Sequence, residues 1–253
     1  MIMLLSRCGS DQAGAASSGA SRDPADAEHR LVLVIDPTVL RDAETTEFQR
    51  LISTELRSSF GNLPEDTWVD VYFVGNGQVG LPADLRDSLP FNEAEATEAG
   101  HQKRAVALGD SVAQLTEARW AALNEAPNQP ASCILTALYR AQEMIQDGAG
   151  RGQRVSVVVI SDFWEACSDF GRFNFERTIP DSVGLLPAEA DLSGADQVLM
   201  VRVQKQGTGK IEDVAGLERV WRQILTRWKV DASRIHFQSE FPDDLLQLGK
   251  MER

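Results

Sequence analysis

Two short apolar runs in this chain each stop at an aspartate: Leu31 to Ile35 leads into Asp36-Pro37-Thr38, and Val155 to Ile160 leads into Ser161-Asp162-Phe163. Unbroken runs of Val, Ile and Leu of this length predict strands buried on both faces, as in a parallel sheet covered by helices. Ligands of such sheets bind at the carboxyl ends of the strands. A carboxylate just past two strand ends is therefore a site candidate, and Asp36 and Asp162 are expected to converge there.

The remainder of the chain alternates in the same way. After a first strand at about Arg30 to Ile35, a helix is expected from Ala43 to Phe60, where Phe48, Leu51, Ile52 and Leu56 recur at helical spacing and Gly61 supplies the stop. Trp68 to Val74 reads as a second strand with Asp70 as its one charged member, and Gly77 to His101 as a long loop with room for one short strand. A helix from Arg104 to Asn124 and another from about Ser132 to Gln146 precede the strand Val155 to Ile160. The stretch from Phe163 to Asp196 has no clear period and is too long to be structureless in a packed domain, so it is functional or partly helical around Ala188. A strand at Gln197 to Val203, a helix at Val214 to Lys229 and a strand at Ile235 to Gln238 complete the pattern. This predicts an α/β fold: a doubly wound, mostly parallel, Rossmann-like sheet with helices on both faces and right-handed crossovers. The 253 residues suffice for one large domain, expected over 29–253.

Residues 1–28 read differently. A short apolar run ends at Cys8 and is followed by an Ala, Gly, Ser and Asp tract, a low-complexity linker by composition. That order resembles the end of a bacterial lipoprotein signal, in which the Cys is lipidated and the tract tethers a folded domain. Arg7 stands where such signals need a small residue, and a basic start and a full apolar stretch are missing. The other reading is a plain disordered leader. The expected location is accordingly cytoplasmic or, with Cys8 lipidated, outside the cytoplasmic membrane. No run reaches the roughly 18 to 20 apolar residues of a membrane-spanning helix.

Acidic residues outnumber basic ones, 38 to 25, and the net charge of -13 argues against nucleic acid or an anionic membrane as partner. Cys8, Cys133 and Cys167 show neither metal-ligand spacing nor a redox pair. Cys133 is expected to be a small apolar core residue, and Cys167 has no neighbours that would make it a nucleophile. His29, His101 and His236 are scattered, and are read as unpaired structural or surface residues.

Ser132 brings a hydroxyl to a helix start, and two carboxylates with several hydroxyls are hard oxygen ligands of the kind Mg²⁺ accepts while keeping some waters. Together these pieces resemble the von Willebrand factor A domain and its metal-ion-dependent adhesion site. In that family the first strand ends in Asp-x-Ser-x-Ser, a loop Thr precedes the fourth helix, and an Asp follows the fourth strand, commonly as Thr-Asp-Gly. Asp36 matches the first aspartate, Thr38 the first serine, Ser132 the loop threonine and Asp162 the last aspartate. Leu40 stands in place of the second serine, and Pro37 and Phe163 are further departures. The resemblance implies a protein-interaction module of the adhesion or scaffold type, not an enzyme. It implies weak Mg²⁺ binding at Asp36, Thr38, Ser132 and Asp162, with a protein partner docking there. The plainer reading is that these residues only cap helices and form turns.

Five aromatics, Phe163, Trp164, Phe170, Phe173 and Phe175, fall in the loop that should overhang this edge. Aromatics in such a place anchor partners, or else fold back as a satellite core. Trp221, Leu225 and Trp228 lie at helical spacing and read as core.

One enzyme reading competes. Asp36-Pro-Thr-Val-Leu40 looks like the first motif of haloacid-dehalogenase phosphatases, with Asp36 as nucleophile, Ile160-Ser161 as the second motif and Asp243-Asp244 as the metal motif. Thr38 replaces the acid-base aspartate of that family, a loss on the order of 10² to 10⁴ in rate. Nucleophile elbows, dinucleotide fingerprints and phosphate loops are missing from the sequence. The acidic pair and late lysine of a response-regulator receiver are missing as well.

Overall fold

The computed structural model describes residues 27–37, 51–75, 85–89, 98–125, 132–165, 190–203, 214–239, 241–242 and 245–246. Six strands form one sheet: β1 (His29–Ile35), β2 (Thr67–Phe73), β3 (Leu85–Leu89), β4 (Arg154–Ser161), β5 (Gln197–Arg202) and β6 (Ile235–Gln238). Their order is β3-β2-β1-β4-β5-β6. Five are mutually parallel, and β3 pairs antiparallel with β2 at one edge. The chain winds outward from β1 to β2, then returns to the other side of β1 as β4. Between β1 and β4 the winding reverses, which is where doubly wound sheets open a crevice at their carboxyl ends.

The apolar runs are unbroken because alternate residues serve two different layers. Val32 and Val34 of β1, with Val155, Val157 and Val159 of β4, pack beneath α3 (Ile134–Gly150) and α4 (Val214–Arg227). Leu31, Leu33 and Ile35, with Val158 and Ile160, face α1 (Arg57–Gly61) and α2 (Glu98–Glu125). Burying such a side chain contributes about 1.5–3 kcal/mol, so a polar residue on either face would cost core. Trp221, Leu225 and Trp228 are buried in the α3/α4 layer, as their spacing predicts.

Boundaries shift modestly from the sequence reading. The short strand anticipated between Gly77 and His101 is β3, and α2 begins at Glu98 rather than Arg104. The expected Ala43 to Phe60 helix is described only from Leu51, where a π-helical turn (Leu51–Leu56) runs into α1. Ala188 lies outside the described residues.

Asp70, the one charge in β2, is explained at the amino end of the sheet. It is fully buried and accepts from Arg30 Nε at 2.8 Å and from Trp68 Nε1 at 3.2 Å. A second Arg30 nitrogen reaches Asp147 Oδ2, also at 2.8 Å. Among the described residues no helix is long and apolar enough to cross a membrane.

Candidate functional site

β1 and β4 pair in register to the last residue of β1, Ile35 opposite Ile160, so Asp36 and Ser161 follow side by side at the reversal point. The Asp36 amide donates to the Ile160 carbonyl at 2.9 Å. Its carboxylate is 1% exposed and accepts at Oδ2 from two hydroxyls, Ser161 Oγ at 2.9 Å and Ser132 Oγ from the approach to α3. A carboxylate taken out of water is costly unless it is hydrogen-bonded, and charge-assisted bonds of this kind are the strong ones. Ser132 and Ser161 therefore stabilise Asp36 where it is.

The exit of β4 is held by short-range bonds. Ser161 Oγ accepts from the Phe163 amide and Asp162 Oδ1 from the Trp164 amide, each at 3.0 Å, the local pattern by which Ser and Asp build turns. Phe163 adopts φ 67°, a left-handed conformation that costs a non-glycine residue about 1–3 kcal/mol. Its packing compensates. The ring is fully buried, 6.4 Å from the Trp221 ring and 6.2 Å, edge-on, from Phe237, and its carbonyl accepts from Trp221 Nε1 at 2.9 Å.

Glu165 closes the arrangement from a direction the sequence does not announce. It is 0% exposed, and Oε2 accepts from the Leu135 amide at 2.9 Å. Leu135 is the second residue of α3, and the N-cap residue Cys133 makes no side-chain cap bond of its own. A carboxylate from the β4 exit thus satisfies one of the orphan amides of the helix and sits at the positive end of its dipole.

Of the residues singled out in the sequence, Asp36 and Ser132 are brought into direct contact, and Asp162 follows Ser161 with 8% exposure. Thr38, Leu40, Phe170, Phe173, Phe175, Asp243 and Asp244 lie outside the described residues. Phe163 requires a correction: it is core of the α3/α4 layer, not a rim aromatic, because the left-handed turn directs it inward. Trp164 is half-buried and leans on that same core. Cys133 is buried as expected, but it is disulfide-bonded, which corrects its reading as a plain small apolar core residue. His101 is not unpaired, since its Nε2 lies 2.7 Å from the Leu63 carbonyl. Ser161 was given a role in the sequence reading only within the competing phosphatase motif, not as a partner of Asp36, and Glu165 was missed. Ser161 had a signal, as a polar residue closing an apolar strand, whereas Glu165 had none.

Among the described residues, the side chains of Asp36, Ser132, Ser161 and Asp162 offer oxygen ligands at this edge, which suit a hard cation that retains waters. Among the described residues no three His, Cys, Asp or Glu side chains gather to hold an ion, so a cation here would depend on hydroxyls and water beside the carboxylates. Comparison with known proteins finds no family model that matches this chain and no matching curated protein.

Proposed function

We propose that the domain is a protein-interaction module of the von Willebrand factor A kind, docking its partner at the carboxyl ends of β1 and β4 through a partial metal-ion-dependent adhesion site. One observation carries this reading: at the reversal point of a doubly wound sheet, a buried Asp36 carboxylate gathers the hydroxyls of Ser132 and Ser161. Ser132 stands one residue before the N-cap Cys133, and its hydroxyl donates to the Asp36 carboxylate.

Asp36, Ser132 and Asp162 would hold Mg²⁺, with Thr38 as the further family position. The ion would supply an electrophilic centre for an acidic group of the partner. The protein's own contribution is to fix the carboxylates, since Ser132 and Ser161 orient Asp36 while the Trp164 amide orients Asp162. Leu40 supplies no hydroxyl, so the partner's acidic group completes the shell.

The test is a pull-down with residues 29–253 in Mg²⁺ and in chelator, beside the double variant Asp36→Ala, Asp162→Ala. Capture that requires Mg²⁺ and is lost in the variant supports the reading. Equal capture in all conditions sinks it.

A further inference from the structure

We infer that the groove between α4 and the amino end of β6 docks an acidic peptide segment of a protein partner, one of whose carboxylates is held by Arg222. This surface is separate from Asp36 and does not rest on the adhesion-site reading. A 3₁₀ turn at Ala232–Arg234 delivers the chain from α4 into β6, the outermost strand of the sheet. An open groove of about 740 Å³ lies along this turn, lined by Ala215, Arg219, Arg222, Thr226 and Arg227 of the helix and by Ala232 of the turn. Ala215, Arg219, Arg222 and Thr226 follow one another at intervals of four, three and four residues, so they share one face of α4. Arg219 and Arg227 are exposed and Arg222 is half-buried.

Charge sets this face apart. Residues 214–234 carry five basic side chains, Arg219, Arg222, Arg227, Lys229 and Arg234, against two acidic ones, Glu218 and Asp231, in a chain whose acids outnumber its bases 38 to 25. Asp231 is engaged in accepting from the amide and the hydroxyl of Ser233, at 2.8 and 2.6 Å. Glu218 is thus the one acid on the groove wall among the described residues. At physiological ionic strength charges more than about 8 Å away are largely screened, so a ligand in the groove meets the arginines rather than the acidic remainder of the chain.

Arg222 is the fixed point of the groove. Its Nη1 donates to the carbonyls of Ala232 and Ile235, each at 3.1 Å, and its guanidinium carbon lies 5.2 Å from the centre of the Phe237 ring. Held in this way, the side chain gives up little further entropy when a ligand binds. Its Nε and Nη2 make no bond among the described residues. That edge of the guanidinium is a fork that takes a carboxylate through two parallel, charge-assisted N–H···O bonds. Arg219 and Arg227 extend the attraction to acidic side chains on either side. A nucleic acid would offer phosphates to the same arginines, but it would carry its whole backbone charge across an acidic chain, which favours a short acidic peptide.

The test is a titration of fluorescently labelled hexaglutamate with the full chain at about 0.15 M salt, in chelator so that cation-dependent docking at Asp36 stays out of the readout. Saturable binding is expected, with hexaglutamine showing none. Arg222→Lys keeps the charge without the fork and should weaken binding by about tenfold, the scale of a charge-assisted bond. The double variant Arg219→Gln, Arg227→Gln should weaken it several-fold with Arg222 in place. Because Arg222→Lys also gives up bonds to two carbonyls, NMR of the wild-type chain supplies a readout that needs no variant: the Arg222 Nε–H signal should shift as hexaglutamate is added. Failure of hexaglutamate to saturate, an Arg222 signal that stays in place, affinity kept in a folded Arg222→Lys, or equal binding of an oligothymidylate of matched charge overturns the proposal.

Discussion

Glu165 and Leu135 are 30 residues apart in the chain, yet the carboxylate of one accepts the main-chain amide of the other at 2.9 Å in a fully buried setting. The loop leaving β4 and the helix carrying Ser132 at its approach are thereby one unit. Glu165→Ala leaves a buried helix amide without its acceptor and is expected to cost about 1–3 kcal/mol in urea unfolding. Glu165→Gln keeps an acceptor oxygen and should recover most of that. An alanine variant as stable as wild type would mean that water replaces the carboxylate at no cost.

The pair of hydroxyls on Asp36 makes a second expectation. Ser161→Ala strips a donor from a buried carboxylate and should destabilise by about 1–3 kcal/mol, because Ser161 also accepts from the Phe163 amide. In calorimetry the isolated domain should bind Mg²⁺ weakly or without saturation, since Leu40 supplies no ligand. Tight binding to the domain alone would contradict this, as would affinity unchanged in Asp36→Ala, Asp162→Ala.

The layer structure was legible because parallel strands buried on two sides must be apolar throughout, and Leu31 to Ile35 and Val155 to Ile160 show it directly. The same runs pointed to Asp36, since a charge ending a buried strand is conspicuous. Glu165 was illegible for the opposite reason. Its role depends on a contact between a loop and a helix start far away in sequence, and nothing in Phe163-Trp-Glu marks a capping residue. Phe163 was ambiguous because a loop aromatic reads equally as a partner anchor or as a folded-back core residue, and a left-handed φ at a phenylalanine has no sequence signature. The disulfide hid in the same way, being set by three-dimensional approach rather than spacing.

At the opposite end of the sheet, pH offers a third test. Burial would raise the Asp147 pKa, but hydrogen bonds from Arg30 and Arg151, with their charges, outweigh it and hold the carboxyl below the usual range. A carboxylate with a depressed folded pKa adds stability that is fully present above its unfolded value, near 3.8, and lost as pH falls through the folded value. Asp147→Asn should therefore lower stability at neutral pH and flatten its loss in acid, as followed by urea midpoints across pH. Parallel curves for variant and wild type would show that the Arg30 contact carries no linkage.

Adjacent aromatics supply the last prediction, because Phe163 and Trp164 were read together from the sequence and the fold separates them. Phe163 is enclosed by Trp221 and Phe237, and Phe163→Ala should cost about 3–5 kcal/mol, as large core truncations do. Trp164 keeps part of its surface in solvent at the exit of β4, with its amide bound to Asp162 Oδ1. Trp164→Ala should cost clearly less stability than Phe163→Ala, yet weaken partner binding by about 2 kcal/mol or more, the scale of a hot spot. Thermal unfolding and a binding titration on the two variants separate the roles. If Trp164→Ala destabilises as much as Phe163→Ala, or leaves docking intact, Trp164 belongs to the core and the partner is held by the oxygen ligands alone.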